Sequence, residues 1–252
     1  MLWVGTSWKM NGTLASARDY ASRLRDALAD GAPAGVQPFI IPPATALAAV
    51  HDVLGDGSPV LLGAQNAHWA DAGAWTGEIS VAQAADAGAA LVEIGHSERR
   101  EFFAETDETV NRKVRATLGH GLRPLLCVGE PGAVFDAGGS VDHVLGQVAA
   151  ALAGVGDAGR VLIAYEPIWA IGEHGREAHP EDLTDVFAAL AAEYGDQVTA
   201  LLYGGSVNQR NAAETLAVPG VGGLFVGRSA WQVEGYLELL RIAAGLAPVP
   251  GR

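Results

Sequence analysis

Eight short runs of apolar and β-branched residues recur along this chain, at residues 2–6, 37–41, 60–64, 90–94, 124–128, 161–165, 199–203 and 223–226. Between them lie Ala-, Leu- and Glu-rich segments with helical spacing. In residues 16–28, Leu24 and Leu28 share a face while Arg23, Arg25 and Asp26 turn outward; residues 183–194 repeat the pattern, and each segment ends near a glycine. Strands that are apolar along their length and separated by helices predict a parallel sheet covered on both faces, hence an α/β protein. Eight such units in 252 residues suit one closed (β/α)8 barrel, whereas an open doubly wound sheet usually has fewer strands and often a second domain. No linker or composition shift divides the chain, and residues 136–140 and 154–159 are short enough for loops, so residues 1–252 read as a single barrel domain.

Charge narrows the partners. With 16 Lys and Arg against 29 Asp and Glu, the formal net charge of −13 repels nucleic acid and anionic membrane surfaces. A small anionic substrate stays open, because a few aligned backbone N–H groups overcome a distant net charge. No run approaches the roughly 20 apolar residues of a membrane span. Lys9 comes too early for a signal peptide, so a cytoplasmic location is expected. Cys127 is the single cysteine, and it reads as a core thiol.

Polar residues and glycines gather directly after the apolar runs: Ser7-Trp8-Lys9, Gln65-Asn66, His96-Ser97-Glu98, Gly129-Glu130, Glu166-Pro167, Gly204-Gly205-Ser206 and Gly227-Arg228-Ser229. In a barrel these positions meet at one rim, where active sites form. Glu166, at a strand end beside apolar and aromatic residues, has the poor solvation that suits a base for a carbon-bound proton; pairing with a barrel cation is the alternative. His96 opens a segment that can start a helix, with Ser97 near its cap. A histidine held there is pushed neutral and can donate to a developing oxyanion, or it is simply a structural histidine. Lys9 would bring a cation to the rim or lie on the surface. Glu98 would either hold that ammonium or favour the start of its own helix.

Glycines after the last two strands favour a phosphorylated substrate, since they let backbone N–H groups approach closely. No G-x-G-x-x-G follows the first strand and no G-x-x-x-x-G-K-[ST] occurs, which argues against dinucleotides and nucleoside triphosphates. Gly95-His96-Ser97 begins like a nucleophile elbow, but Arg99 stands where its second glycine belongs. His174, Glu177 and His179 lie in a polar loop without a rigid frame, so no metal site is expected. The loop from Gln65 to Glu78 carries Trp69 and Trp75 and reads as a protruding subunit contact, or as a surface loop folded on itself.

Taken in order, Trp8-Lys9-Met10-Asn11, Ala74-Trp75-Thr76-Gly77-Glu78, Gly95-His96-Ser97-Glu98-Arg99-Arg100, Cys127-Val128-Gly129-Glu130, Tyr165-Glu166-Pro167-Ile168-Trp169-Ala170-Ile171-Gly172 and Tyr203-Gly204-Gly205-Ser206-Val207-Asn208 resemble the motifs of triosephosphate isomerases over essentially the whole chain. The resemblance implies a TIM barrel that isomerises a ketose phosphate without metal or organic cofactor. It implies Glu166 as base, with His96 as neutral electrophile and proton shuttle, that family's established pairing. Lys9 becomes the cation facing the enediolate and Glu98 its support. Gly172, Ser206, Gly227 and Arg228 would hold the phosphate, Ser7 would face the substrate's oxygens, and Pro167, Ile168 and Trp169 would hinge a lid. The family is typically dimeric, through the loop holding Trp75, Thr76, Gly77 and Glu78.

Three departures bear on the substrate. The family's Gly-Asn-Trp-Lys is Thr6-Ser7-Trp8-Lys9 here, which enlarges the pocket. The lid tip, usually Gly-Thr-Gly-Lys, reads Gly172-Glu173-His174-Gly175-Arg176, and Arg228 replaces a glycine. The default substrate is dihydroxyacetone phosphate, converted to D-glyceraldehyde 3-phosphate as in glycolysis and gluconeogenesis. The departures resemble a bacterial branch that interconverts L-erythrulose 1-phosphate and D-erythrulose 4-phosphate in tetritol breakdown. A non-catalytic phosphosugar-binding dimer on the same barrel is the remaining class, against which the joint presence of Lys9, His96 and Glu166 argues.

Overall fold

The computed structural model describes residues 1–172 and 175–247. Eight parallel strands close into a barrel in chain order: β1 (Leu2–Ser7), β2 (Val36–Ile41), β3 (Leu61–Ala64), β4 (Leu91–Ile94), β5 (Arg123–Val128), β6 (Leu162–Tyr165), β7 (Ala200–Tyr203) and β8 (Gly223–Val226). The register of Trp3 with Gly223 seals β1 to β8. Each strand lies within one residue of its sequence expectation at either end. Ten α-helices occur among the described residues: α1 (Leu14–Ala27), α2 (Leu47–Leu54), α3 (Val81–Asp86), α4 (Ser97–Phe102), α5 (Asp107–Gly119), α6 (Gly132–Asp136), α7 (Ser140–Ala151), α8 (Pro180–Tyr194), α9 (Ala212–Leu216) and α10 (Val233–Leu246). None is long and apolar enough to cross a membrane.

Strand side chains alternate between two apolar layers. Trp3, Phe39, Leu91, Leu125, Leu162, Leu202 and Phe225 fill the barrel interior. Their neighbours Val4, Ile40, Val92, Leu126, Ile163 and Leu224 face outward and pack with helix residues such as Leu24, Phe187 and Leu239. Each large side chain buried this way contributes about 1.5–3 kcal/mol. Large and small residues complement one another inside: a Cβ on Gly5 would fall 2.0 Å from the Phe39 ring, so only glycine fits. The closing helix is tied to the sheet by the buried Tyr236 hydroxyl, which donates to Val4 O at 2.8 Å and accepts from Phe39 N–H at 3.0 Å.

Two helices begin earlier than their apolar periodicity implies, and caps explain both. Thr13 N–H donates to Ser16 Oγ at 2.8 Å, extending α1 back to Leu14. Pro180 occupies the first turn of α8, where its missing N–H costs nothing, and His179 N–H donates to Asp182 Oδ2 at 3.0 Å.

Candidate active site

The C-terminal ends of the strands surround a cavity of about 540 Å³. Lys9 follows β1, His96 follows β4 and Glu166 follows β6, and all three line this cavity with Ser7 and Glu98. Gly172, Ser206, Gly227 and Arg228 line it as well. The catalytic and phosphate candidates read from the sequence thus share one opening, although Lys9 and Glu98 are 89 residues apart in the chain.

Glu166 is 4% exposed, and its Oε2 has no hydrogen-bond partner among the described residues. Burial pushes its carboxyl well above the usual range, the Glu93 charge adds to this, and Lys9 opposes it. A basic, poorly solvated carboxylate is what proton abstraction from carbon needs. Space for it comes from the glycine directly after β7: a Cβ on Gly204 would stand 2.6 Å from Glu166 Cγ.

His96 presents Nε2 3.7 Å from Glu166 Oε2. The expected cap of α4 shifts by one residue, because His96 rather than Ser97 is the N-cap: Glu98 N–H donates to His96 Nδ1 at 3.1 Å. A backbone donor at Nδ1 places the neutral ring's proton on Nε2, facing the cavity. Burial lowers the imidazole to about 4, with the Lys9 charge acting in the same direction, so the ring is neutral at pH 7. The turn that carries it is braced from below. Glu105 accepts from Gly95 N–H at 3.1 Å and from Arg99 Nε at 2.7 Å, and Arg100 Nε donates to Gly95 O at 2.9 Å.

Lys9 has a φ of +52°, rare for a residue with a Cβ and a form of stored strain that gathers at functional sites. Its Nζ donates to Glu98 Oε1 at 2.7 Å, and Gln65 Nε2 holds its carbonyl at 2.8 Å. Burial would raise the Glu98 carboxyl, but the hydrogen bond from Lys9 and the charge of that ammonium outweigh it and hold the group low. Of the two roles open for Glu98, the ammonium contact is formed.

Two carboxylates with no role in the sequence reading are built into this region. Glu93 is 3% exposed and accepts from Ser7 Oγ at 2.9 Å. Burial pushes it up to about 7, against the Ser7 hydrogen bond and the Lys9 charge. Its signal was a carboxylate inside an otherwise apolar strand, two residues after the inward-facing Leu91. Glu130, fully buried, accepts at Oε1 from Trp169 Nε1 at 2.8 Å, Tyr165 OH at 3.0 Å and Ser140 Oγ at 3.1 Å. Arg176 lies over the Trp169 ring at 4.4 Å and over Phe135 at 5.0 Å. Ser206 Oγ donates to Ala170 O at 2.6 Å. Pro167, Ile168 and Trp169 are thereby tied to β5, β7 and the segment that follows them.

Glu173 and His174 lie outside the described residues, and Glu177 accepts from Asn211 Nδ2 at 2.9 Å. Trp69 is partly covered by His68 at 4.1 Å. Trp75 lies tilted against His68 at 4.4 Å and edge-on to Trp69 at 6.2 Å yet stays half-exposed, and Thr76, Gly77 and Glu78 are exposed beside it.

The sequence pattern of triosephosphate isomerase matches residues 2–243. An L-erythrulose-1-phosphate isomerase of Mycolicibacterium smegmatis is 61% identical over 245 residues, covering 96% of this chain and 93% of that protein. Proteins of the same name from Rhizobium rhizogenes and Mesorhizobium japonicum are each 49% identical over 245 residues, covering 94% of this chain and 93% and 95% of theirs. A closed barrel with its polar residues at one mouth, matched over nearly its full length, makes this chain a member of the triosephosphate isomerase family.

Proposed function

We propose that this enzyme interconverts L-erythrulose 1-phosphate and D-erythrulose 4-phosphate. The observation that carries the reading is 49–61% identity, over nearly whole chains, to proteins bearing the four-carbon name. Ser7 supports it, since the short side chain leaves room for one more hydroxymethyl group than dihydroxyacetone phosphate carries. The three-carbon substrate, first in the sequence reading, gives way to the four-carbon one, and the glycolytic role gives way with it.

In this mechanism Glu166 takes the proton from the substrate carbon that bears the hydroxymethyl group. The electron pair moves into a carbon–carbon double bond while the adjacent carbonyl oxygen gains negative charge, giving an enediolate. His96 donates from Nε2 to that oxygen and carries a proton between the two neighbouring oxygens. Glu166 returns its proton to the other carbon, and the carbonyl reappears one position along. Nothing is oxidised or reduced overall. A neutral imidazole suits this task because its proton is held less acidic and stays on the nitrogen until the oxyanion forms. Lys9, held by Glu98, opposes the oxyanion charge, and it acts more strongly once closure of the lid excludes water.

The phosphate lies at the other end of the cavity, against Gly172, Ser206, Gly227 and Arg228. Pro167, Ile168 and Trp169 hinge a lid that excludes water, which strengthens hydrogen bonds to the enediolate and prevents loss of phosphate from it. Two chains pair through the loop holding Trp75, Thr76, Gly77 and Glu78. The cytoplasm suits the enzyme, because phosphorylated sugars do not diffuse out through membranes. The test is turnover on L-erythrulose 1-phosphate and dihydroxyacetone phosphate side by side. A kcat/KM greater for the four-carbon substrate supports the reading, and equal or greater kcat/KM on the triose phosphate removes it.

A further inference from the structure

Beyond the main cavity lies a second recess of about 420 Å³, and Ser7, Lys9, His96 and Glu98 line both. These four side chains form the threshold between the two spaces. Glu93 lines only the second, immediately past Ser7, to which it is hydrogen-bonded at 2.9 Å. Among the described residues, no other hydrogen bond reaches its carboxylate, so one oxygen lacks a donor.

A carboxylate here has a cost. Its nearest inward neighbour on β4 is Leu91, and a buried acid without a full set of donors destabilises the fold more than an apolar residue of similar size. It also adds negative charge near a site that stabilises an enediolate. Neither effect helps a three-carbon substrate, whose reacting carbon ends in a hydroxyl already served by His96. A four-carbon ketose phosphate extends one CH2OH further, away from its phosphate and therefore toward the threshold. We infer that Ser7 and Glu93 together form the receptor for this terminal hydroxymethyl group, with Glu93 accepting its O–H and Ser7 holding the carboxylate in place. The inference rests on the four-carbon reading and names the residues that enforce it.

The experiment measures kcat/KM for L-erythrulose 1-phosphate and for dihydroxyacetone phosphate in the wild type, Glu93→Gln and Ser7→Asn, with inhibition by inorganic phosphate in each. A hydrogen bond to a charged acceptor corresponds to about 10–100-fold in binding of the group that makes it. We expect the preference for the four-carbon substrate to fall about tenfold or more in both variants, while phosphate inhibition stays unchanged. Equal proportional losses on the two substrates would overturn the inference, because they would mark Glu93 as a framework residue only. If Glu93→Gln also loses phosphate inhibition, reporting a disturbed barrel, the preference in Ser7→Asn decides by the same criterion. A wild type without four-carbon preference would remove the parent reading and this inference with it; a wild-type preference that persists in both variants would remove this inference alone.

Discussion

Gly204→Ala is the sharpest perturbation of the catalytic geometry, because it adds one methyl group and removes no functional atom. An alanine Cβ at this position would stand 2.6 Å from Glu166 Cγ, 3.3 Å from its Cδ and 3.0 Å from its Oε1. Carbon atoms pack at about 3.5–4.0 Å, so the glutamate side chain must retreat by roughly 1 Å. With its other sides buried, the direction left to it is into the cavity, which moves the carboxylate from its place beside His96. A displacement of this size at a reacting group costs about 10²-fold, or about 2.7 kcal/mol of barrier at 1.36 kcal/mol per tenfold. Overpacking adds about 1–3 kcal/mol of destabilisation. Steady-state turnover, inhibition by inorganic phosphate and thermal unfolding separate these effects. The expected result is kcat lowered about 100-fold, phosphate inhibition within twofold of wild type, and a lowered Tm. A kcat within threefold of wild type would refute the reasoning, since it would mean that the exact position of the Glu166 carboxylate does not set the rate.

Glu166→Asp withdraws the carboxylate by one methylene, and a kcat reduced about 100-fold with phosphate inhibition retained is expected; unchanged turnover in solvent hydrogen exchange would reject Glu166 as the base. Glu93, raised to about 7 when folded, contributes stability that is present below the ordinary glutamate range and lost as pH rises through about 7. The unfolding free energy of Glu93→Gln should therefore rise relative to the wild type between pH 5 and pH 8, by an amount approaching about 3 kcal/mol and seen as a widening Tm difference, and a Tm difference independent of pH would contradict this. His96, lowered to about 4, acts with the opposite sign: its stability contribution is lost as pH falls from about 6.5 to about 4, so His96→Asn should lose less stability than the wild type over that range, and parallel acid-unfolding profiles would contradict this. Trp75→Glu places a charge on the half-exposed ring position of the proposed subunit contact. Sedimentation should show a dimer for the wild type and a monomer for the variant, and a wild-type monomer would end the dimer proposal.

Much of the architecture was legible in the linear order of residues. Eight apolar runs and the amphipathic segments between them are local patterns, and each strand formed within one residue of its expected place. The rim residues were legible for the same reason: Lys9, His96 and Glu166 directly follow strands, and the closed barrel brings strand ends to one mouth whatever their separation. Local periodicity was less informative at helix starts, where Thr13 and Pro180 act through caps rather than apolar spacing.

The pairings between distant residues were decided only by the tertiary structure. That Ser7 would meet Glu93, 86 residues away, depends on which face of β1 and β4 turns inward and on how far each strand rises in the closed barrel. That Glu130 would collect Tyr165, Trp169 and Ser140 depends on the register of β5 with β6. Alternation along one strand gives two faces but does not say which one is interior, and a buried charge has no meaning until its partners are known. Sequence alone determined the kind of barrel and which residues gather at its mouth; closure of the sheet determined which carboxylates stand beneath that mouth, because hydrogen-bond partners are set by strand register and not by distance along the chain.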